Sequence, residues 1–481
     1  MQQSKKLNRL FKALARQGLD VSYRDRTYSV RLQQHPDAPV AEVLLPDDFP
    51  IEAKALKQLA NLATINHPAG GKVKRICATP DFHPGDAGVA IGSVVKTTGM
   101  VIPAAVGSDI NCGMRLHVAD LSLDDFLSQK DTFVKFIKGD YFLGTRDVSM
   151  TARTSRAMFE HGLIGWLSQM SLKPRGSVIH SDFSQLWQEI ERVHFNGSLD
   201  GSLRWCPEDL IPETGIVRDG DLATIGGGNH FVEIQVVDSI EDKATAYQWG
   251  IKPGQLAFMI HSGSRTVGKH IGGMWRNKAW KMWQTGTSYP PSRLFSLSTA
   301  DNSQAVEDYL SAEATAANYG FVNRMLLAEL LRLRLRKVFG KNIAAPLVYD
   351  LPHNITVAEQ DDWIIRKGAC PAQHGQPVVI PGSMGSSSYL LMGLGNQKWL
   401  NSASHGAGRN KSRFELTRQG ANYSESDLGL TGVDCITLNS QRRIEEAPMA
   451  YKPIQPVIDA QVAAKMVKVV AKLKPILTFK A

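Results

Sequence analysis

The chain has 481 residues, 43% hydrophobic and 21% charged, which excludes a disordered or low-complexity chain and leaves an ordinary globular protein. The 55 Lys and Arg exceed the 46 Asp and Glu, giving a net charge of +9 that suits nucleic acid as well as a merely basic surface. Five Cys, at 77, 112, 206, 370 and 435, are odd in number and lack a pairing rhythm, which argues against a disulfide framework and for a reducing compartment.

The first segment, MQQSKKLNRLFKALARQG, predicts a short amphipathic helix, since it has no apolar core of signal-peptide length. No stretch approaches the roughly 18 consecutive apolar residues that a membrane span needs, so a soluble, cytoplasmic protein is expected. Residues 1–68 alternate charged and apolar segments and end in the turn-rich NHPAGG. They are expected to be a divergent N-terminal part of one domain spanning 1–481, with 69–481 carrying the chemistry. From VKRICATPD onward, short apolar runs end repeatedly in glycine-rich turns: ICATPDFHPGDAG, MVIPAAVGSDINCG, LAFMIHSGSR, PLVYDLPHN and PVVIPGSMGSSSY. Between them SYPPSRLFSLSTADNSQ predicts an exposed loop, and residues 313–340 predict a long helix with a Leu-rich core face. On that helix Arg324, Arg332, Arg334, Arg336 and Lys337 are expected on a solvated face. The mixed order of strands and helices indicates an α/β to α+β fold.

Reactive residue types cluster in the turns, where a rigid strand scaffold fixes the backbone while the loop presents side chains. Asp109 and Cys112 in DINCGMR, His230 in GGGNHFVE, His261 in HSGSR and His353 in DLPHN supply a carboxylate, a thiolate and three imidazoles, a donor set for divalent metal. Cys112 could bridge two ions. Each His alone is more often a structural residue, but the glycine-rich turns around nearly all of them favour a site. GGGNH, HSGSR, PGSMGSSS and HGAGR are candidate anion cradles, whereas the P-loop and dinucleotide fingerprints are absent. His405, in SASHGAGRNKSR, stands apart from further metal donors. Its imidazole is the candidate nucleophile toward phosphorus, with Arg409 neutralising phosphate oxygens.

From DFHPGDAG at 81 to FKA at 481 the sequence resembles the RtcB family of RNA ligases. DFHPG, VGSDINCGMR, GGGNHFVE, HSGSR, DLPHN, RKGA, IPGSMGSSSY, SHGAGR and AYK occur in that family's order. The resemblance implies a compact fold with mixed sheets around a central metal cleft. It further implies a GTP-dependent ligase with two Mn²⁺ ions, joining an RNA 3′-phosphate or 2′,3′-cyclic phosphate to a 5′-hydroxyl in tRNA splicing or RNA repair. By that pattern Cys112, His230 and His261 hold one ion, Asp109, Cys112 and His353 the other, and His405 carries the guanylate. Nucleotide contacts carried over are Asn229, Phe231 and Glu233 beside the first metal loop, and Pro381, Ser383 and Ser388 around the nucleotide. Ala407, Gly408 and Arg409 fall near the phosphate, and Lys480 at the guanine. Thiolate and imidazole donors favour Zn²⁺ by the usual affinity order, so inhibitory zinc binding is expected beside Mn²⁺. The chain ends Lys480-Ala481, where the family commonly ends Lys-Gly. RNA and GTP are the implied partners, an activating protein partner is left open, and no membrane is involved. Two alternatives remain: a guanylyltransferase that caps nucleic-acid 3′-phosphates with weak joining, and a catalytically silent RNA-binding subunit.

Overall fold

Two largely antiparallel sheets carry the chemistry, and their strands are the apolar runs that the sequence brackets with glycine-rich turns. A computed structural model describes residues 2–46, 49–283, 287–340, 342–419 and 422–481. In the larger sheet the strands lie in the order Leu347–Pro352, Gly113–Ser122, Gln255–Ser262, Phe231–Ile240, Val467–Phe479, Ser388–Gly393 and Pro377–Ile380, each antiparallel to its neighbour. Asp434–Ile436 adds to Val467–Phe479 in parallel. The central strands are buried along most of their length, as near-continuous apolar runs must be when both faces are covered.

The second sheet runs Leu19–Arg24, Thr27–Leu32, Ala41–Leu44, Lys72–His83, Ile91–Thr98, Asp362–Lys367 and Asn354–Glu359. Its first three strands come from residues 1–68, and Ala41–Leu44 pairs in parallel with Lys72–His83. Val30, Ala41 and Val43 are fully buried, so the segment least like its surroundings in sequence completes the sheet that carries the DFHPG turn.

Helix Thr299–Phe339, 41 residues long, threads the molecule, with an irregular residue at Asn302 (φ −154°). It begins well before the expected start at 313. Ala312 to Arg332 are buried without interruption, so the helix is apolar or internally paired on every side, as a central helix must be. Two expectations fail here. Arg324 and Arg332 are not solvated: they are 0% and 1% exposed, ion-paired to Asp350 and to Glu189 and Glu329. Asp350 and Glu189 come from elsewhere in the chain, invisible to helical periodicity, whereas Glu329 lies one turn earlier on the same helix. Arg334, pairing with Asp140, and Lys337, over the Phe136 ring, lie nearer the surface as expected. The SYPPSRLFSLSTADNSQ segment is exposed only in part. Leu294–Ser298 is buried, Leu297–Ser298 pairs with Met100–Val101, and Thr299 begins the helix.

Candidate active site

The larger sheet delivers its reactive residues to one end because antiparallel strands enter and leave there in turn. Cys112 immediately precedes strand Gly113–Ser122, His230 precedes Phe231–Ile240, His261 sits near the end of Gln255–Ser262, and His353 follows Leu347–Pro352. The register places Phe231 opposite His261, His261 opposite Met114, and Pro352 opposite Gly113, so the four donors are neighbours. His353 is also the corner at which the chain leaves this sheet for Asn354–Glu359 of the other. The second sheet thereby brings Asp81 and Lys367 to the same place.

The donor atoms converge. Cys112 Sγ lies 3.2 Å from His230 Nε2 and 3.1 Å from His261 Nε2, His261 Nε2 is 3.2 Å from His353 Nε2, and Asp109 Oδ2 is 2.9 Å from His230 Nε2. Two trios have all their ligand atoms within 4.8 Å of one another: Cys112, His261 and His353, and Asp109, Cys112 and His230. His230 and His261 set Nδ1 3.1 Å from the carbonyls of Ile225 and Asn229, which can accept Nδ1–H, and this turns both Nε2 atoms toward the thiol. Burial, then the neighbouring imidazoles and other cations, hold His261 and His353 far below the usual histidine range, while burial and Asp109 push the Cys112 thiol well up. Burial also opposes ionisation of Asp109, but the charge and hydrogen bond of His230 hold its carboxyl well below the usual range. The cluster thus has more lone pairs than protons to share. A cation relieves that imbalance and draws off the thiol proton, so this donor set fits divalent metal.

Local backbone holds the loops. Asn111 adopts φ +52°, a left-handed conformation that Asn tolerates, and its N–H donates to Asn354 O at 2.8 Å. Asn354 Nδ2 donates to Asp109 O at 3.0 Å, and His353 N–H to Cys112 O at 2.8 Å. Arg324 spreads its guanidinium over Asn111 O (2.6 Å), Ser262 O (3.1 Å) and Asp350 Oδ1 (2.8 Å), one side chain tying together the segments that bear Cys112, His261 and His353. Gly263 has no room for a side chain: a Cβ there would collide with Asp109 Oδ1.

His405 follows strand Ser402–Ser404 and is 8% exposed. Its Nδ1 lies 2.7 Å from Asp81 Oδ2, which also accepts from the His405 N–H at 3.2 Å, while Asp81 Oδ1 accepts from the Thr79 hydroxyl at 2.6 Å. Burial opposes ionisation of Asp81, yet the His405 hydrogen bond and charge hold its carboxyl below the usual range. A carboxylate there accepts Nδ1–H and so places the lone pair of the neutral ring on Nε2, the tautomer a nucleophilic imidazole requires. The His405 and His353 ring centroids are 4.7 Å apart. Gly408, at φ +77°, lies against the Asp81 backbone, where a Cβ would clash with its carbonyl.

These groups open into a cavity of about 840 Å³. Asp109, Cys112, His261, His353 and His405 line it, as do Asn229, Phe231, Glu233, Pro381, Ser383, Ala407, Gly408, Arg409 and Lys480. His230 and Ser388 stand just behind its wall. Ser388 Oγ accepts from Gln235 Nε2 at 2.9 Å, and the same amide donates to Glu233 Oε1 at 2.6 Å, with Thr478 donating to Oε2 at 2.6 Å. Burial raises the Glu233 carboxyl to about 7. Lys480 is buried, donates to Gly228 O at 3.1 Å and faces Glu446 at 3.8 Å. Residues 58–481 match the family described as "tRNA-splicing ligase RtcB".

The chain belongs to the RtcB family. It is similar to the tRNA-splicing ligase RtcB of Nanoarchaeum equitans, at 32% identity over 85% of this chain and 88% of that one. The tRNA-splicing ligase RtcB of Aeropyrum pernix is 30% identical over 92% of this chain and 95% of its own length. The RNA-splicing ligase RtcB of Mycobacterium tuberculosis is 31% identical over 87% and 99%.

In this RtcB chain Cys112 Sγ lies within 3.2 Å of Nε2 of both His230 and His261, the two histidines that the resemblance groups with it, and is common to both converging trios. Arg409 is less free than expected. Its guanidinium is taken up by Glu446 (3.1 Å), the Tyr451 hydroxyl (3.3 Å) and the carbonyls of Glu445 (2.8 Å) and Lys411 (3.1 Å). Four residues of the site received no role from sequence reasoning. Asp81, Lys367 and Asn354 lie inside the quoted DFHPG, RKGA and DLPHN motifs, a signal that could have found them. Glu446 carried none. Burial lowers the Lys367 ammonium, which donates to Val106 O at 2.7 Å beside Asp109 and Cys112.

Proposed function

We infer that this protein is an RNA ligase of tRNA splicing that joins an RNA 3′-phosphate or 2′,3′-cyclic phosphate to a 5′-hydroxyl through a histidine-bound GMP. The observation that carries the reading is His405: its Nδ1 is held by a buried carboxylate, and the residue lines a cavity shared with the donor cluster. Asp109, Cys112, His230, His261 and His353 would hold two divalent cations, Mn²⁺ in this reading, which when bound withdraw charge from the phosphates under attack.

Water first opens a cyclic phosphate to the 3′-monoester. His405 Nε2 attacks the α-phosphorus of GTP, a P–N bond forms, and pyrophosphate leaves with the bonding pair. Asp81 keeps the ring oriented and stabilises the positive charge it gains. An oxygen of the RNA 3′-phosphate then takes the guanylyl group from His405, giving a 3′-pyrophosphate-linked guanosine and restoring the neutral ring. The 5′-hydroxyl attacks the RNA phosphorus, its proton is lost to solvent, and GMP departs. This order answers a chemical need, since a phosphate monoester has no good leaving group and the anhydride supplies one. Glu233, with a free lone pair on each oxygen, suits the N–H edge of guanine. Five unpaired cysteines and the lack, among the described residues, of a helix long and apolar enough to cross a membrane support a cytoplasmic setting.

The test is incubation with Mn²⁺ and α-labelled GTP, followed by RNA carrying both kinds of end. A label that survives denaturation, is lost in acid and is missing from His405→Ala is expected, followed by a joined product. Full labelling of His405→Ala removes His405 from the role, an accumulating 3′-cap without joining favours the capping enzyme, and joining with Zn²⁺ but not Mn²⁺ overturns the metal assignment.

A further inference from the structure

Helix Arg265–Met282 begins at the HSGSR turn and carries five cations, Arg265, Lys269, Arg276, Lys278 and Lys281, with no Asp or Glu. Arg265, Lys269, Gly272, Arg276 and Trp280 recur at spacings of four, three, four and four, so they form one ridge along the helix. The ridge starts at the site. Arg265 Nε donates to Thr224 Oγ1 at 3.0 Å beside the glycine loop that leads to His230. Gly272 lies so close to the loop preceding Asp109 that a Cβ there would approach Gly107 O to 2.7 Å and Ser108 Cα to 3.0 Å, and Ser108 lines the cavity. Outward from that contact the ridge is open. Lys269 and Arg276 are exposed, and Trp280 is 50% exposed. Among the described residues Lys269, Arg276 and Lys281 form no ion pair. By contrast the half-buried Lys278, off the ridge, sits over the Trp205 and Trp275 rings. Half of the Trp280 indole is thus open to solvent beside these cations.

We propose that this ridge is the track for the RNA beyond its reacting end, with Lys269 and Arg276 on backbone phosphates and an unpaired base stacked on Trp280. The inference rests on the RNA-ligase reading. Cations without internal partners complement a polyanion, and an indole face accepts any base. The ridge extends about 22 Å along the helix axis at about 1.5 Å per residue, enough for several nucleotides of a strand leaving the cavity.

The test measures binding of a labelled single-stranded RNA with a 3′-phosphate, over a range of salt, by wild type, Lys269→Gln/Arg276→Gln, Trp280→Ala and Trp280→Phe. The slope of log K against log salt should fall by about two in the double variant, close to one per phosphate contact. Trp280→Ala should weaken binding about five-fold or more, with most of the loss recovered in Trp280→Phe, which keeps an aromatic face. Thermal unfolding of each variant should match wild type, as expected for surface positions. A wild-type slope in the double variant, or affinity within two-fold of wild type in Trp280→Ala, overturns the track. Guanylylation of the wild-type protein is read separately, so its failure tells against the ligase reading and not against the track.

Discussion

The donor cluster and the arginine network beneath it are both buried, polar and assembled from distant segments, yet they differ in charge balance. Beneath the site, Arg115, Arg324 and Arg332 face Asp350, Glu189 and Glu329, each cation within 3.5 Å of a carboxylate oxygen. That network supplies its own counter-charges. In the cluster, a thiol, a carboxylate and three imidazoles face one another, and the neighbouring Lys367 ammonium donates to the Val106 carbonyl. The lesson is that a buried polar group closed on itself is scaffold, whereas one left with excess lone pairs is built for something that arrives from outside.

The largest expected effect comes from removing the shared donor. Cys112→Ala should abolish guanylylation and joining and lower bound metal from two ions per chain to less than one, measured by metal analysis of the purified protein. Because a lone-pair cluster without its ion stabilises little, its unfolding free energy from urea titration in chelator should stay within about 1 kcal/mol of wild type. Two bound ions with full activity would refute the sharing of Cys112. Asp81→Asn keeps the shape but not the charge that fixes the ring, and should slow guanylylation by roughly 10²- to 10⁴-fold with little change in fold. An unchanged rate would mean that Nδ1 needs no carboxylate.

Arg324→Ala should behave in the opposite way to Cys112→Ala. It strands Asp350 in the interior and releases the turn at Asn111, costing about 3–5 kcal/mol of stability by urea unfolding. A loss below about 1 kcal/mol would show that the network is not the scaffold its geometry describes. The smallest effect is the pH dependence at Glu233, whose carboxyl is raised from 4.5 to about 7 by burial. The native state binds this proton more tightly than the unfolded chain, so its contribution to stability is full below about pH 4.5 and is lost as pH rises through about 7. Glu233→Gln cannot ionise and should flatten that decline by about 1–3 kcal/mol in urea unfolding followed from about pH 5 to pH 8. An unaltered pH profile would locate the titration elsewhere.

Legibility from sequence followed the kind of signal. Asp109, Cys112, His230, His261, His353 and His405 stood out because glycine-rich turns at strand ends are local patterns, and the structure brings all six to one end of the larger sheet. How they group is not a local pattern, because it depends on register between strands more than 80 residues apart. Arg324 and Arg332 were misplaced for a related reason. On a helix met alone an arginine belongs to the solvated face, and only the arrival of Asp350 and Glu189 makes its burial tolerable.

The sequence by itself determined the composition of the site and the strand-and-turn framework that presents it, because residue type, glycine placement and hydrophobic period act over a few residues. Only the tertiary structure decided which lone pairs face one another, that Asp81 holds His405, that Glu446 gathers Arg409, Arg413 and Lys480, and that residues 1–68 complete the second sheet. Those outcomes rest on distances of about 3 Å between atoms far apart in the chain. Such distances are set by packing and charge balance across the whole fold.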